Sequence, residues 1–160
     1  MKRNSIYKIV TSLLLISAGL YTNAQNDDEA TIKNIVETQD FVFKAQMVLP
    51  SGAASRQLEI NYYDVKVSKK SLEVFLPYFG RAYSVTNYPS DGGINFNSAK
   101  FDYKITNGKK GGWDISIKPE DAVTIRELSF SISKTGFADL KVMSDNRQPI
   151  SFYGYITKLE

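Results

Sequence analysis

The side chains that could carry chemistry in this sequence are carboxylates, lysines, tyrosines and hydroxyls, because its 160 residues include no cysteine and no histidine. The absence of cysteine excludes a thiolate nucleophile, a sulfur-ligated zinc site and a disulfide framework. The absence of histidine excludes a Ser-His-Asp triad and imidazole metal ligands. Oxygen ligands could still bind calcium, but the spacing D-x-[DN]-x-[DN]-G of a calcium loop does not occur in the sequence. We therefore expect no metal and no other cofactor.

One pair of carboxylates remains for acid-base catalysis. Asp102 and Asp114 each follow an aromatic residue, Phe101 and Trp113, on the two strands of a predicted hairpin. A hydrolase could use two such carboxylates together. By alternation, however, both side chains face away from the apolar side of the hairpin, and solvated surface is the simpler interpretation. We expect a protein that is not an enzyme.

The segment GKKGG, residues 108–112, superficially resembles a loop that cradles phosphate. Such a loop needs Ser or Thr directly after Gly-Lys, and it needs a helix after the loop. Here a strand pattern beginning at Trp113 follows instead. Asn-Gly and Gly-Gly pairs are common turn residues, so the segment is predicted to be a hairpin turn.

Four aromatic residues offer a stacking surface. Tyr153 and Tyr155 share one face of the last predicted strand, and together with Tyr103 and Trp113 they could line a site for a sugar or a lipid. Aromatic residues are enriched in strands in any case, so a layer of the core is the favoured interpretation of the same four residues.

The segment LPYFGRAYS, residues 76–84, interrupts a strand pattern with a proline, a glycine and an arginine. Pro77 has no backbone donor and belongs at a strand end, an edge or a bulge, whereas Gly80 permits close approach of the backbone. Together they predict a corner in the chain. We expect Arg81 to brace this corner by donating to free backbone carbonyls and by stacking on a neighbouring tyrosine.

A ligand-binding role for the same corner is the alternative. Arg81 could meet an anionic ligand at the mouth of a barrel, with Tyr78 beside it. Arg147, in the turn before the last strand, is expected to brace another corner in the same way. The candidate residues, with either a structural or a ligand-binding role, are Tyr78, Phe79, Gly80, Arg81, Tyr83, Trp113, Arg147, Tyr153 and Tyr155.

The apolar periodicity predicts one helix followed by an all-β domain. Ile32, Ile35 and Val36 recur at helical spacing, which predicts a helical lead over residues 25–40. Over residues 41–160 the period drops to two, in about eight or nine short strands separated by turn residues. The prediction is an antiparallel β-barrel, with a β-sandwich as the alternative.

One predicted strand changes its phase. Leu58, Ile60 and Tyr62 alternate on one face, whereas Tyr63 and Val65 continue on the other. Because a slip of one residue exchanges the two faces of a strand, this pattern predicts a β-bulge near Tyr62 and Tyr63.

Residues 1–24 have the three parts of a secretory signal peptide. Three basic residues lie within the first eight, an apolar run follows over residues 9–20, and Ala24 offers a small residue before the expected cleavage. The run is too short to span a bilayer comfortably, so an uncleaved membrane anchor is the less favoured alternative. We expect an exported protein, periplasmic or secreted, with no membrane span after cleavage.

Cleavage would also remove the net charge. The chain has 20 Lys and Arg against 17 Asp and Glu, and three of the basic residues but no acidic one precede Gln25. The remainder, 17 against 17, has no net charge. Nucleic acid is therefore not an expected partner, because its binding relies on a basic surface that releases phosphate counterions.

Five segments occur in order over nearly the whole chain after residue 24: LPYFGRAYS, GGINFNS, FDY, KKGGW and NRQPISFYGYI. In these segments the sequence resembles a family of small exported Bacteroidetes proteins known only as a domain of unknown function. The resemblance implies an all-β, lipocalin-like barrel with an N-terminal helical lead, located in the bacterial envelope. It implies no catalytic residues, because the family has no established activity. The matching positions are Pro77, Tyr78, Phe79, Gly80, Arg81, Tyr83, Trp113, Arg147, Phe152 and Gly154.

Two functional hypotheses remain open, and an enzyme is a distant third. The first is a monomeric binding module whose barrel takes a small apolar or amphipathic ligand, such as a lipid or a glycan fragment, at its open end. The second is a structural or interaction module of the cell envelope with a filled barrel and an unknown protein partner. The third, a hydrolase that uses Asp102 and Asp114, is the least favoured.

Overall fold

The computed structural model describes residues 21–83, 92–108 and 111–159. Within these ranges one helix precedes ten strands. The elements are α1 (Tyr21–Glu37), β1 (Phe41–Pro50), β2 (Arg56–Gln57), β3 (Asp64–Val67), β4 (Leu72–Leu76), β5 (Ile94–Ser98), β6 (Phe101–Asn107), β7 (Trp113–Pro119), β8 (Ile125–Ile132), β9 (Phe137–Ser144) and β10 (Ile150–Lys158).

Nine of the strands form one antiparallel sheet in the order β5-β4-β3-β1-β10-β9-β8-β7-β6, and the short β2 pairs with β1 beside this path. The sheet curls into a nearly closed barrel. The prediction of an antiparallel all-β barrel with eight or nine main strands is confirmed, and the β-sandwich alternative is not. The strands β5 and β6 are consecutive in the chain and yet stand at the two ends of the sheet.

The inside of the barrel is filled by one contiguous apolar cluster. Alternate residues of β7 to β10 enter this cluster, and the largest fully buried side chains are Phe41, Phe43 and Phe152. The ring of Phe130 packs edge-on against Phe41 and Phe43, with centroids 5.9 and 5.6 Å apart. Because the side chains pack at such distances, protein atoms fill the space along the barrel axis. The interior is therefore a core.

The helix α1 packs against the barrel end that carries the turn between β8 and β9. Its residues Ile32, Ile35 and Val36 are buried in the common cluster, as the helical spacing predicts. Glu29 forms an ion pair of 2.8 Å with Lys134 in that turn. The helix thus belongs to the folded domain.

The bounds of the helix differ from the predicted lead over residues 25–40. The helix begins at Tyr21 and ends at Glu37, and Gln39 takes a positive φ of 55° where the chain turns into β1. Most of the predicted signal peptide, residues 1–20, lies outside the described residues. Among the residues that the structure describes, no helix is long and apolar enough to cross a membrane.

The predicted strand through residues 58–67 forms only over Asp64–Val67 (β3), and a loop stands where the β-bulge near Tyr62 and Tyr63 was predicted. Residues 60–62 form a turn, Asn61 has a φ of 60°, and Ile60 is 78% exposed. Both ends of the segment bond to β1, since Leu58 N–H donates to the Gln46 carbonyl over 2.9 Å and Ala45 N–H donates to the Tyr63 carbonyl over 3.0 Å. The residues between these two bonds leave the sheet as a loop. The register shifts lie elsewhere, between Ala45 and Met47 in β1 and between Ile125 and Glu127 in β8.

Tyr103 on β6 ties the barrel to the helix. Its hydroxyl donates to the backbone carbonyl of Val36 over 2.9 Å. Burial raises the pKa of Tyr103 well above its ordinary value, because the interior disfavours a charged phenolate. The native state therefore keeps this proton at pH values where an unfolded chain would lose it.

Replacing Tyr103 by phenylalanine is expected to lower the free energy of unfolding by about 1 kcal/mol at neutral pH, since one hydrogen bond to the helix is lost. The stability that the protonated Tyr103 contributes is fully present below about pH 10, the unfolded value, and is lost as the pH rises further. The variant should therefore lose less stability between neutral and strongly alkaline pH than the parent does. Urea unfolding at several pH values measures both effects. The matched control is Tyr83→Phe, at an exposed tyrosine, and equal alkaline slopes for parent and Tyr103→Phe would contradict the account.

The carboxylate of Asp121, in the loop after β7, fixes the short turn between β5 and β6. The carboxylate of Asp121 accepts a hydrogen bond from the Ser98 hydroxyl and another from the Ala99 N–H, the latter over 3.0 Å. These two bonds, the first being the larger cause, lower the pKa of Asp121. The start of β6 is fixed by these contacts.

Candidate ligand-binding groove

The segment LPYFGRAYS leaves β4 at Leu76 and packs against the turn between β9 and β10. Ala82 forms an isolated antiparallel bridge with Arg147, and the N–H of Tyr83 donates to the Asn146 carbonyl over 2.8 Å. The two corners that the sequence predicts separately are therefore one corner. Ser84, the last residue of the segment, lies outside the described residues.

Tyr78 and Gly80 turn the chain inside this corner. The Tyr78 hydroxyl lies 2.9 Å from the Arg81 carbonyl oxygen and 3.1 Å from that of Gln148. The N–H of Gln148 donates to the same Arg81 carbonyl over 3.0 Å. A Cβ at Gly80 would lie 2.7 Å from the Tyr78 ring, so a side chain at this position requires the tyrosine to move.

Arg147, and not Arg81, braces the corner with its side chain. The Arg147 guanidinium is buried, donates to the Gly93 carbonyl over 2.8 Å, and lies 5.0 Å from the centroid of the Tyr78 ring. Arg81 contributes its backbone carbonyl, whereas its side chain is exposed. The expectation that the Arg81 guanidinium supports the corner is therefore wrong. Which of these two arginines is buried depends on how their two turns pack together. The spacing of the arginines in the sequence does not show that packing.

The outer rim of the corner carries the two remaining aromatic candidates. Phe79 is 41% exposed, and the guanidinium of Arg56 lies 5.0 Å from its ring centroid. Tyr83 is 68% exposed. The described contacts of the segment are thus made within the protein, and they account for a corner without any ligand.

The four aromatic residues predicted as one stacking surface divide between two faces of the sheet. Trp113 is buried in the core, and Tyr103 points inward to the helix. Tyr153 and Tyr155 lie on the outer face, where the Tyr155 hydroxyl bonds the side chain of Asn61 over 3.1 Å. The four residues do not form one site.

A groove of about 790 Å³ lies on the outer face of β6 to β10. Two cross-strand rows of side chains form it, and we call it the outer groove. The first row is Lys104, Ser116, Ser129, Lys141, Ser151 and Leu49, and the second is Thr106, Asp114, Ser131 and Asp139.

Serines form the floor of the outer groove. Ser116, Ser129, Ser131 and Ser151 are small, so they leave a trough between the longer side chains around them. The carboxylate of Glu127 accepts hydrogen bonds from Ser116 over 2.7 Å and from Ser129 over 3.1 Å. Because those two hydroxyl protons point to Glu127, their oxygen lone pairs remain as acceptors.

An aromatic pair extends the outer groove at one end. The rings of Phe137 and Tyr153 are parallel, with an interplanar angle of 7° and centroids 6.0 Å apart. They line a second depression of about 610 Å³, which shares Asp114, Ser131 and Asp139 with the outer groove. Phe137 is 49% and Tyr153 is 37% exposed. The aromatic rings and the polar floor therefore form one continuous surface.

Sequence reasoning selected Tyr153 but missed Phe137. The signal was present, because Ala138, Leu140 and Val142 alternate as inward residues and thereby place Phe137 and Asp139 outward. The stack itself depends on the pairing of β9 with β10, which places Phe137 opposite Tyr155 and diagonal to Tyr153.

The predicted carboxylate pair is not brought together. Asp102 lies opposite Lys118, whereas Asp114 lies opposite Thr106, four residues further along β6. The nearer carboxylate on the outer face is Asp139, since β7 and β9 both flank β8, which places the two backbones about 10 Å apart. Among the described residues, no group of three acidic side chains is placed to hold a metal ion.

The described chain is an all-β antiparallel barrel with a packed interior, an N-terminal helix and a groove on its outer face. It belongs to the family described as a domain of unknown function, DUF4251, whose model matches residues 23–156. It is similar to the crystal structure of a DUF4251 family protein from Bacteroides eggerthii DSM 20697, with 16% identity and a TM-score of 0.63. That likeness covers 82% of this chain and 87% of the other, and it shows the fold alone. Among curated proteins, none matches this chain. The predicted family resemblance is confirmed, whereas export stays a prediction.

Proposed function

We propose that this protein is an exported, non-catalytic binding module of the cell envelope, and that its ligand lies in the outer groove and not inside the barrel. The observation that carries the proposal is the contrast between the two faces of the sheet. The inner face is filled by a contiguous apolar cluster, whereas the outer face carries the groove. A barrel can hold a small ligand only where its side chains leave room for it.

The chemistry of the outer groove favours a short neutral glycan. Parallel exposed rings at Phe137 and Tyr153 can stack on the apolar face of a sugar. The carboxylates of Asp114 and Asp139 can accept hydrogen bonds from sugar hydroxyls, and lysines at the rim can donate them. A lipid chain is less favoured, because nine of the ten side chains in the two rows carry polar groups that the chain would desolvate without offering them hydrogen bonds.

A binding role also suits the groove better than hydrolysis. A glycosidase needs one carboxyl group that carries a proton to the leaving oxygen, and burial in an apolar pocket is the usual means of keeping that proton. Asp139 is exposed, and Asp114 is only half-buried. We therefore assign Asp114 and Asp139 to ligand binding. We expect the variant Asp114→Asn to bind the ligand more weakly than the parent does.

Calorimetric titration with cello-, malto-, manno- and chito-oligosaccharides tests the proposal. We expect at least one of these to bind, and we expect Phe137→Ala and Tyr153→Ala each to raise Kd about tenfold, the effect of losing one stacking contact. Tyr62→Ala is the matched control, because Tyr62 is an aromatic residue that is 52% exposed outside the groove. Absence of binding by all four series would refute the glycan assignment, and unchanged Kd in both groove variants would refute the location.

A further inference from the structure

We propose that two copies of this protein pair through the free edge of β6, antiparallel and about a two-fold axis at Tyr103. The inference does not rest on the glycan proposal, because its evidence is the backbone and the charges of a sheet edge, although Lys104 also lies at the rim of the outer groove. The sequence alone predicts a monomer, whereas the geometry of this edge favours a dimer. Its chemistry is carried by the five residues Phe101, Asp102, Tyr103, Lys104 and Ile105.

The strand β6 has one open side. It stands at the end of the sheet, and among the described residues it pairs only with β7. At both ends of the hairpin the ladder bonds join even-numbered residues: Gly108 N–H donates to Gly112 over 2.8 Å, and Glu120 N–H donates to Lys100 over 2.8 Å. Backbone groups alternate in direction along an antiparallel strand. Phe101, Tyr103 and Ile105 therefore point their N–H and C=O groups toward the open side.

The inward side chains at this edge are incompletely covered. Phe101, Tyr103 and Ile105 are only half-buried, whereas the inward residues of β7, from Trp113 to Ile117, are buried. Half-covered apolar side chains beside a row of unpaired backbone groups are what an added strand would bury.

The outward side chains specify which strand can be added. Asp102 and Lys104 are exposed, and neither forms an ion pair within the described part of the chain. With the axis at Tyr103, Asp102 lies opposite the partner's Lys104, and Phe101 lies opposite the partner's Ile105. A second copy thus places opposite charges together twice and apolar residues together twice, which is the self-complementarity that a two-fold interface requires.

Neighbouring registers are excluded by charge. An axis at Lys104 would oppose two lysines, and an axis at Asp102 would oppose two aspartates, both of which are unfavourable. A neutral strand would leave Lys104 beside a desolvated edge, where lysine normally discourages pairing. The same charged residues that protect the edge from other strands therefore permit pairing with a second copy in one register.

Amide hydrogen exchange on the protein purified after export, at several concentrations, tests the backbone side of the proposal. The amides of Phe101, Tyr103 and Ile105 should become protected as the concentration rises. Those of Asp102 and Lys104 should be protected throughout, because they bond β7, and they serve as the internal control. Fast exchange of the three odd-numbered amides at every concentration would overturn the proposal.

Analytical ultracentrifugation of charge variants tests the side-chain part. Lys104→Asp should weaken dimerisation about tenfold, since it opposes two pairs of like charges. The double variant Asp102→Lys with Lys104→Asp should restore the dimer to within about threefold of the parent, because the charges are exchanged symmetrically. A double variant as weak as the single one, or a parent with the mass of one chain at all concentrations, would overturn it. Circular dichroism shows whether each variant is folded.

Discussion

Arg147→Ala is expected to lower the free energy of unfolding by about 3 kcal/mol. The guanidinium of Arg147 is buried and donates to the Gly93 carbonyl, and it packs on the Tyr78 ring. Its removal takes away a charged hydrogen bond, leaves the half-buried Gly93 carbonyl without that donor and opens a space beside the ring. The corner between β4 and the last turn should loosen as a result.

Arg81→Ala is the matched control for that prediction. Arg81 lies in the same corner, but its side chain is exposed, so its replacement should change the free energy of unfolding by less than about 0.5 kcal/mol. Urea unfolding of both variants, followed by tryptophan fluorescence of Trp113, measures the difference. Equal losses of stability in the two variants would show that the corner does not depend on the buried guanidinium.

Gly154→Ala is expected to cost a similar amount, about 3 kcal/mol, for a different reason. Gly154 lies on β10 opposite the β-bulge of β1, and a Cβ there would overlap the carbonyl oxygen of Lys44. The same Cβ would lie 3.1 Å from the Phe43 ring in the core. Because backbone cannot rotate away as a flexible side chain can, β1 and β10 would have to separate.

Gly52→Ala separates this steric effect from the general cost of replacing a glycine. Gly52 has a φ of 85°, but a Cβ there meets no atom within 4 Å, so its replacement should cost about 1 kcal/mol. Thermal unfolding of the two variants in parallel gives the comparison. A Gly154→Ala protein as stable as Gly52→Ala would mean that the strands can adjust at this point.

Much of the fold could be predicted from local pattern. The hairpin of β6 and β7 follows from two alternating runs around a glycine-rich turn, and β8 follows from serines that alternate with apolar residues. Gly108 N–H donates to the Gly112 carbonyl over 2.8 Å where the turn is predicted, and Lys109 and Lys110 lie outside the described residues. In these elements the period of the sequence and the pairing of the strands agree.

The predictions that failed depend on contacts between distant parts of the chain. The alternation over residues 58–63 does not show that the chain leaves the sheet between its bonds to Ala45 and Gln46 of β1. The choice between Arg81 and Arg147 is made by the packing of two turns more than sixty residues apart in sequence. The outer groove needs five strands in register before its serines form one floor. Such features arise from the topology of the sheet, which periodicity does not encode.

The location of the ligand is tested most directly by mapping amide and methyl chemical shifts during titration with the oligosaccharide that binds. We expect shifts at Asp114, Phe137, Asp139 and Tyr153, whereas interior methyl groups such as those of Leu72 and Leu128 should stay unchanged. Large shifts at the interior methyl groups, with an unchanged outer face, would contradict the account and place the ligand inside the barrel.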